Sequence, residues 1–175
     1  MIGTSRARHA EVINEFARQG NQMSAEEVFR AKAPTVMDWL IRDFHLKDFQ
    51  AAAIPGNLGH ETGGFTKLRE IGAAPGHGGY GWGQWTGPRG RAFLNWCHAH
   101  KLDWQSDAGN YGYLHYELAG AYAYVVAHLR ECGSVEQTTE VFERYYERAG
   151  VVAMNDRIHW AKIALTAYRA HNAGA

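Results

Sequence analysis

Apolar positions recur with helical period near both ends of the chain and lose that period in the middle. Val12 and Phe16, followed by the capping box Ser24-Ala25-Glu26-Glu27, open short amphipathic pieces. Pro34 suits the first turn of a helix that carries Val36, Trp39, Leu40 and Phe44. A second helix is predicted from Lys47 to His60 with Phe49, Ala52 and Ala53 facing inward, and Pro55 is expected to kink or split it. Phe93, Leu94 and Cys97 mark a short helix after the turn at Pro88-Arg89. Leu114, Leu118, Tyr122, Val125 and Leu129 line one face of a single long helix. Gly133 stops it, and Ser134 with Gln137 caps the next, which carries Val135, Thr138, Phe142 and Tyr145. A last helix carries Ile158, Ala161, Leu165 and Tyr168.

Between Gly63 and Gly87 the pattern breaks: nine of the twenty glycines fall in these 25 residues, interleaved with aromatic side chains. No helix survives that composition, so loops and short β-strands are predicted there. The chain's 175 residues suit one domain, and 46% hydrophobic residues suffice for a core. Eighteen Lys and Arg balance eighteen Asp and Glu, which excludes extended electrostatic wrapping of nucleic acid. Cys97 and Cys132 are read as buried free thiols. The N-terminal sequence has no secretory apolar core, and the stretch Leu118 to Leu129 is too short to span a bilayer. A soluble protein without stable membrane insertion is expected.

Candidate chemistry concentrates where the helical pattern ends. Glu61 closes the predicted second helix just before Gly63-Gly64, at the negative end of the helix dipole and beside the cleft wall expected in the loop region. Both surroundings favour a protonated carboxyl, the state a general acid needs. Downstream, Tyr80, Trp82 and Trp85 offer flat faces for sugar rings, Gln84 and Thr86 directional hydrogen bonds, and the glycines between them room for substrate. Glu70 is the only other carboxylate between Glu61 and Gln84 and is the candidate second catalytic group, with pairing to Lys67 or Arg69 as its alternative. A separation of about 6.5–9.5 Å between the two carboxyls would imply inversion and about 5–5.5 Å retention. Arg89 and Arg91 are candidates for binding carboxylates or for capping the following helix.

Other chemistries fail on spacing. His60-Glu61 lacks the second histidine of a zincin motif, since position 64 is glycine, and no ligand triad appears; no metal and no cofactor are expected. Gly76-His77-Gly78-Gly79-Tyr80-Gly81 satisfies a dinucleotide-binding pattern formally but follows no strand and opens no helix. Cys97-His98 lies among Phe93, Leu94 and Trp96, as a core thiol would.

The ordered series GNLGHETGGF, GYGWGQWTGPRGRAF, LHYEL and FERYYERAG…NDRIHWA resembles the phage tail lysozyme and endolysin family of the lysozyme superfamily, over Pro34 to Tyr168. The resemblance implies a mainly α, lysozyme-like α+β fold: a helical bundle with a small Gly-rich β-hairpin lobe flanking a substrate cleft. It implies one catalytic domain over 1–175, with residues 1–33 as an N-terminal extension serving as accessory helix or partner surface. Glu61 falls on the family's catalytic glutamate, and Gln84 and Thr86 on its cleft-lining pair. Pro55 departs from the small or aliphatic residue usual at that position. Glu117 in LHYEL is expected to be a buried partner for an arginine, with Arg157 as the candidate.

The implied function is general-acid cleavage of the MurNAc-GlcNAc β-1,4 bond in peptidoglycan glycan strands. The alternatives are a lytic transglycosylase that leaves anhydro-muramic ends and a non-catalytic glycan-binding virion module. The protein is expected to act as a monomer, to bind no nucleic acid, and to wait in the infected cell for release to the wall or to travel in the particle.

Overall fold

A computed structural model describes residues 23–70, 72, 74 and 77–174. Seven α-helices are found there: α1 (Ala25–Phe44), α2 (Asp48–Thr62), α3 (Gly87–Ala99), α4 (Asp107–Ala119), α5 (Ala123–Arg130), α6 (Val135–Phe142) and α7 (Met154–Ala173). A π-helical turn, Glu143–Glu147, prolongs α6. The mainly helical expectation holds. Among the described residues the β-hairpin lobe is reduced to two isolated antiparallel bridges, Arg69 with Tyr80 and Tyr80 with Trp85. Glycines at 72, 78 and 81, all with positive φ, bend that region too often for longer pairing.

The capping box at Ser24 forms as read: its Oγ accepts from the Glu27 N–H and the Glu27 carboxylate accepts from the Ser24 N–H. It starts one 20-residue helix that runs through Pro34 rather than beginning there. An interior proline costs about 3 kcal/mol. Burial of Phe29 and Ala33 on one side of it, and of Val36, Met37 and Leu40 on the other, offsets that cost. Residues 25–33 therefore belong to a core helix and not to an accessory extension; Val12 and Phe16 lie outside the described residues. The anticipated long helix through Leu114 and Leu129 is also corrected. It is two helices, because Gly120 adopts φ −109 and ψ −110 and turns the chain, while Leu114, Leu118, Val125 and Leu129 all stay buried.

Helix α2 is the axis of the fold. Eleven of its fifteen residues are buried, and it packs on α7 above all, then on α6 and α1. Pro55 is among the buried residues, and the helix continues through it unsplit. Two glycines one turn apart set how closely its neighbours approach. A Cβ on Gly56 would lie 2.5 Å from the Ala161 Cβ of α7, and one on Gly59 would lie 2.6 Å from the Phe29 ring of α1. Cys97 and Cys132 are both buried and free, and burial pushes the Cys97 thiol up to about 11.

This packing sets a direct test. Gly56→Ala gains helix propensity yet inserts a methyl into Ala161, so it is expected to destabilise the protein by about 1–3 kcal/mol in urea unfolding. A stabilised variant would show that the α2–α7 approach is slack.

Candidate active site

Glu61 stands on the last turn of α2. The helix stops there because Gly63 takes φ +53 as its cap, Gly64 follows at φ +72 against the Ala25 carbonyl, and Thr62 bonds both the Leu58 carbonyl and the Phe65 N–H. The Glu61 side chain is 23% exposed. Its partner is unexpected: Nη2 of Arg157, from the first turns of α7, donates to Glu61 Oε1. Arg157 is fully buried and also donates from Nη1 to Asn57 Oδ1 at 3.2 Å and from Nε to the Val152 carbonyl at 2.7 Å. Asn57 lies one turn before Glu61, and its amide in turn donates to the carbonyls of Ala53 and Thr139. One guanidinium thus fixes two residues of the GNLGHE segment at once. Burial and the charge of Arg157 push the neighbouring His60 imidazole below its usual range.

A second ion pair lies on α3 and α4. Arg89 grips Glu117 through Nε at 3.0 Å and Nη2 at 2.7 Å, and its guanidinium packs over the rings of Tyr122 and Tyr146. The Tyr146 hydroxyl donates to Glu117 at 2.5 Å and accepts the Trp85 indole N–H at 3.2 Å. Glu117 is therefore the buried arginine partner it was read to be, but the arginine is Arg89, while Arg157 serves Glu61. Arg89 is committed inside the protein rather than free for a substrate carboxylate.

A further carboxyl, which spacing alone did not mark, feels the charges of both pairs. Glu147 ends the π turn, where Arg148 follows in the left-handed region at φ 52. Its Oε1 is sealed from solvent and has no hydrogen-bond partner among the described residues. Burial pushes its carboxyl up to about 8. The negative charges of Glu61 and Glu117 add to the effect, and Arg157 and Arg89 oppose it.

The Gly-rich segment supplies structure more than surface. Trp82 and Trp85 are 0% and 1% exposed, so neither can present a face to sugar; they pack on Phe65 and on Phe93 and Tyr113. Gln84, at φ 42, turns its amide inward to the carbonyls of Lys67 and Gly81. Tyr80 is half-buried, under Arg69 at 4.4 Å and edge-on to Trp104. Thr86 is exposed and precedes α3 without a side-chain cap bond, and Arg91 is exposed on that helix's second turn. Glu70 is exposed, and among the described residues only its N–H is engaged, donating to the Gly79 carbonyl. A groove of about 360 Å³ runs beside this segment, lined by Thr66, Lys67, Leu68, Arg69, Trp104 and Gln105. No cluster of three or more His, Cys, Asp or Glu suited to a metal occurs among the described residues. No described helix is long and apolar enough to cross a membrane.

Arg157 carried a readable signal: it precedes Ala161 and Ala164 by four and seven residues, on the buried stripe of α7. A charge on such a stripe demands a partner. Glu147 carried none, because the π turn places it.

The sign of the Glu147 effect on stability follows from its value. Between the usual 4.5 and about 8, the folded protein keeps a proton that the unfolded chain has released. Stability conferred by this group is therefore fully present below that window and is lost as pH rises through it. Glu147→Gln removes the dependence. In urea unfolding the variant is expected to gain on the wild type from pH 4.5 upward, approaching about 5 kcal/mol at most. Parallel curves for the two proteins would refute a buried acid.

No curated protein sequence matches the chain. A family model does, over residues 31–168, and its span coincides with the series of motifs whose residues form the two ion pairs. The chain belongs to the phage tail lysozyme family.

Proposed function

We propose that this protein cleaves the glycan strands of peptidoglycan at the MurNAc-GlcNAc β-1,4 bond, with Glu61 as the group that protonates the leaving oxygen. The observation that supports this most is the seating of Glu61. A partly exposed carboxyl stands at a glycine-released helix end, held from behind by a buried guanidinium that also fixes Asn57. Preorganisation of this kind lets a side chain meet substrate without first being ordered. The groove lined by Lys67, Arg69 and Trp104 offers cations and one aromatic edge to a glycan in which every second sugar carries a lactyl or peptide carboxylate. Within this reading Thr86 and Tyr80 remain cleft contacts, while Gln84 shapes the loop from within.

One observation favours the transglycosylase form of the reaction. Glu70 is exposed with its carboxylate unengaged among the described residues, so nothing there holds it in place to aim a water at the sugar. An attack by the 6-hydroxyl of the same muramic acid needs no such water.

The test is digestion of purified sacculi with mass spectrometry of the products. Wild type is expected to release glycan fragments, with anhydro ends for transglycosylation or reducing muramic ends for hydrolysis. Glu61→Gln is expected to lower release by about 10²–10⁴-fold while still sedimenting with sacculi. Equal release by Glu61→Gln contradicts the role given to this carboxyl. Free peptides as the only product would contradict glycan cleavage itself.

A further inference from the structure

The chain is pinned as it leaves α2 and enters the groove. The Lys67 N–H donates to the Thr62 carbonyl at 2.9 Å, and the Lys67 carbonyl accepts the Gln84 amide at 3.1 Å. The Gly81 N–H donates to the Leu68 carbonyl at 2.7 Å, and the Glu70 N–H to the Gly79 carbonyl at 3.2 Å. One wall of the 360 Å³ groove is therefore fixed backbone, tied directly to the residue after Glu61. The Lys67 stem stays by that helix end too: a Cβ on Gly63 would lie 3.8 Å from its Cδ.

Two cations on this wall are uncommitted. Neither Lys67 nor Arg69 has an ion-pair partner among the described residues. The carboxylates that flank the groove residues in sequence are engaged elsewhere: Arg157 holds Glu61, Lys32 holds Asp107, and Asp103 accepts the Gln105 N–H. Glu70 follows Arg69 directly, yet the two form no ion pair. Arg69 is held in place by the Tyr80 ring, 4.4 Å beneath its guanidinium. A guanidinium fixed by stacking keeps its N–H edges for a carboxylate and loses less freedom on binding one. Stacking faces for an uncharged sugar are scarce here. Trp104 is the single aromatic residue of the groove lining, since Trp82 and Trp85 are buried.

We propose that this groove receives the peptide carried by the muramic acid, with Lys67 and Arg69 binding its carboxylates, so that peptide-bearing glycan is cleaved in preference to stripped glycan. The inference rests on the cleavage proposed above and adds the part of the substrate that selects it. The muramic acid whose C1–O bond breaks carries its peptide on the lactyl group of the same ring. An anionic chain thus leaves the sugar beside the cleaved bond, as the two cations stand beside the helix end that bears Glu61. GlcNAc offers no carboxylate. A stripped strand keeps one lactyl carboxylate close to each muramic ring, which is less than a groove of about 360 Å³ with two cations can hold. A protein with this preference acts before any hydrolase that removes the peptides.

The test separates binding from cleavage. The disaccharide GlcNAc-MurNAc, which lacks the cleavable bond, is titrated calorimetrically into the full chain in three forms: with its acidic tripeptide, with that peptide's carboxyls amidated, and without peptide. The acidic form is expected to bind at least about tenfold tighter than either other form. Lys67→Met and Arg69→Met are each expected to weaken its binding about tenfold, toward that of the amidated form. For cleavage, wild-type kcat/KM is expected to be about tenfold higher on glycan strands before amidase stripping than after, with the difference in KM. In both variants that ratio is expected to fall toward one. Cations with a merely structural role would slow cleavage of both substrates alike and leave the ratio in place.

The proposal is overturned if the acidic form binds no tighter than either of the others, or if the cleavage ratio survives both substitutions. Should Arg69→Met not fold, Lys67→Met, on an exposed side chain, decides alone. Selective binding of the acidic form by a wild type that cleaves no strand would refute glycan cleavage and leave the peptide groove standing.

Discussion

A guanidinium with no exposure to water must find its partners inside the protein, and around Arg157 that requirement organises everything else. Leaving a buried ion unpaired costs several kcal/mol, more than most single packing contacts return. Arg157 meets the demand with the Val152 carbonyl, the Asn57 amide oxygen and the Glu61 carboxylate. Two of these lie on α2 and one precedes α7, so the ion pair fixes the register of the helices that contact each other most. The close approach this needs is possible only because position 56 has no side chain. Glu61 is held by the same constraint: the group proposed to react is one end of the interaction that clamps the core.

The second ion pair extends the clamp to the Gly-rich segment. Trp85, Arg89, Glu117 and Tyr146 come from three of the recognisable motifs and close into one chain of hydrogen bonds. Their co-occurrence in sequence has a physical reason, since loss of any member leaves a buried polar group of another unpaired. Glu147 shares in neither pair, and its Oε1 is shielded from solvent without a hydrogen-bond partner among the described residues.

The helical framework was legible because apolar spacing survives local detail: Leu114, Leu118, Val125 and Leu129 are buried as read, although Gly120 divides their helix. The prolines misled for the opposite reason, as burial on both sides of Pro34 and Pro55 overrides a local penalty. At the site, Glu61 was legible from the glycines that release its helix, and Glu117 from its place in the LHYEL motif. Trp82 and Trp85 were misassigned because a glycine-interleaved aromatic cluster reads the same whether its rings face sugar or core. The partner of Glu61 lies 96 residues away, and that of Glu117 lies 28 away. No local spacing rule could have sorted those two arginines. Glu147 depends on a π turn, for which the sequence offers no marker.

The coupling between Arg157 and Glu61 is the quantity on which this account stands, and a double-mutant cycle measures it. Urea unfolding of the wild type, Glu61→Gln, Arg157→Met and the double variant at neutral pH gives the interaction free energy directly. A coupling of about 2–3 kcal/mol is expected for a buried, doubly anchored pair, with the double variant less damaged than the two single losses imply. Additivity within about 0.5 kcal/mol would mean that the guanidinium and the carboxylate are neighbours without being partners, and that something else seats Glu61.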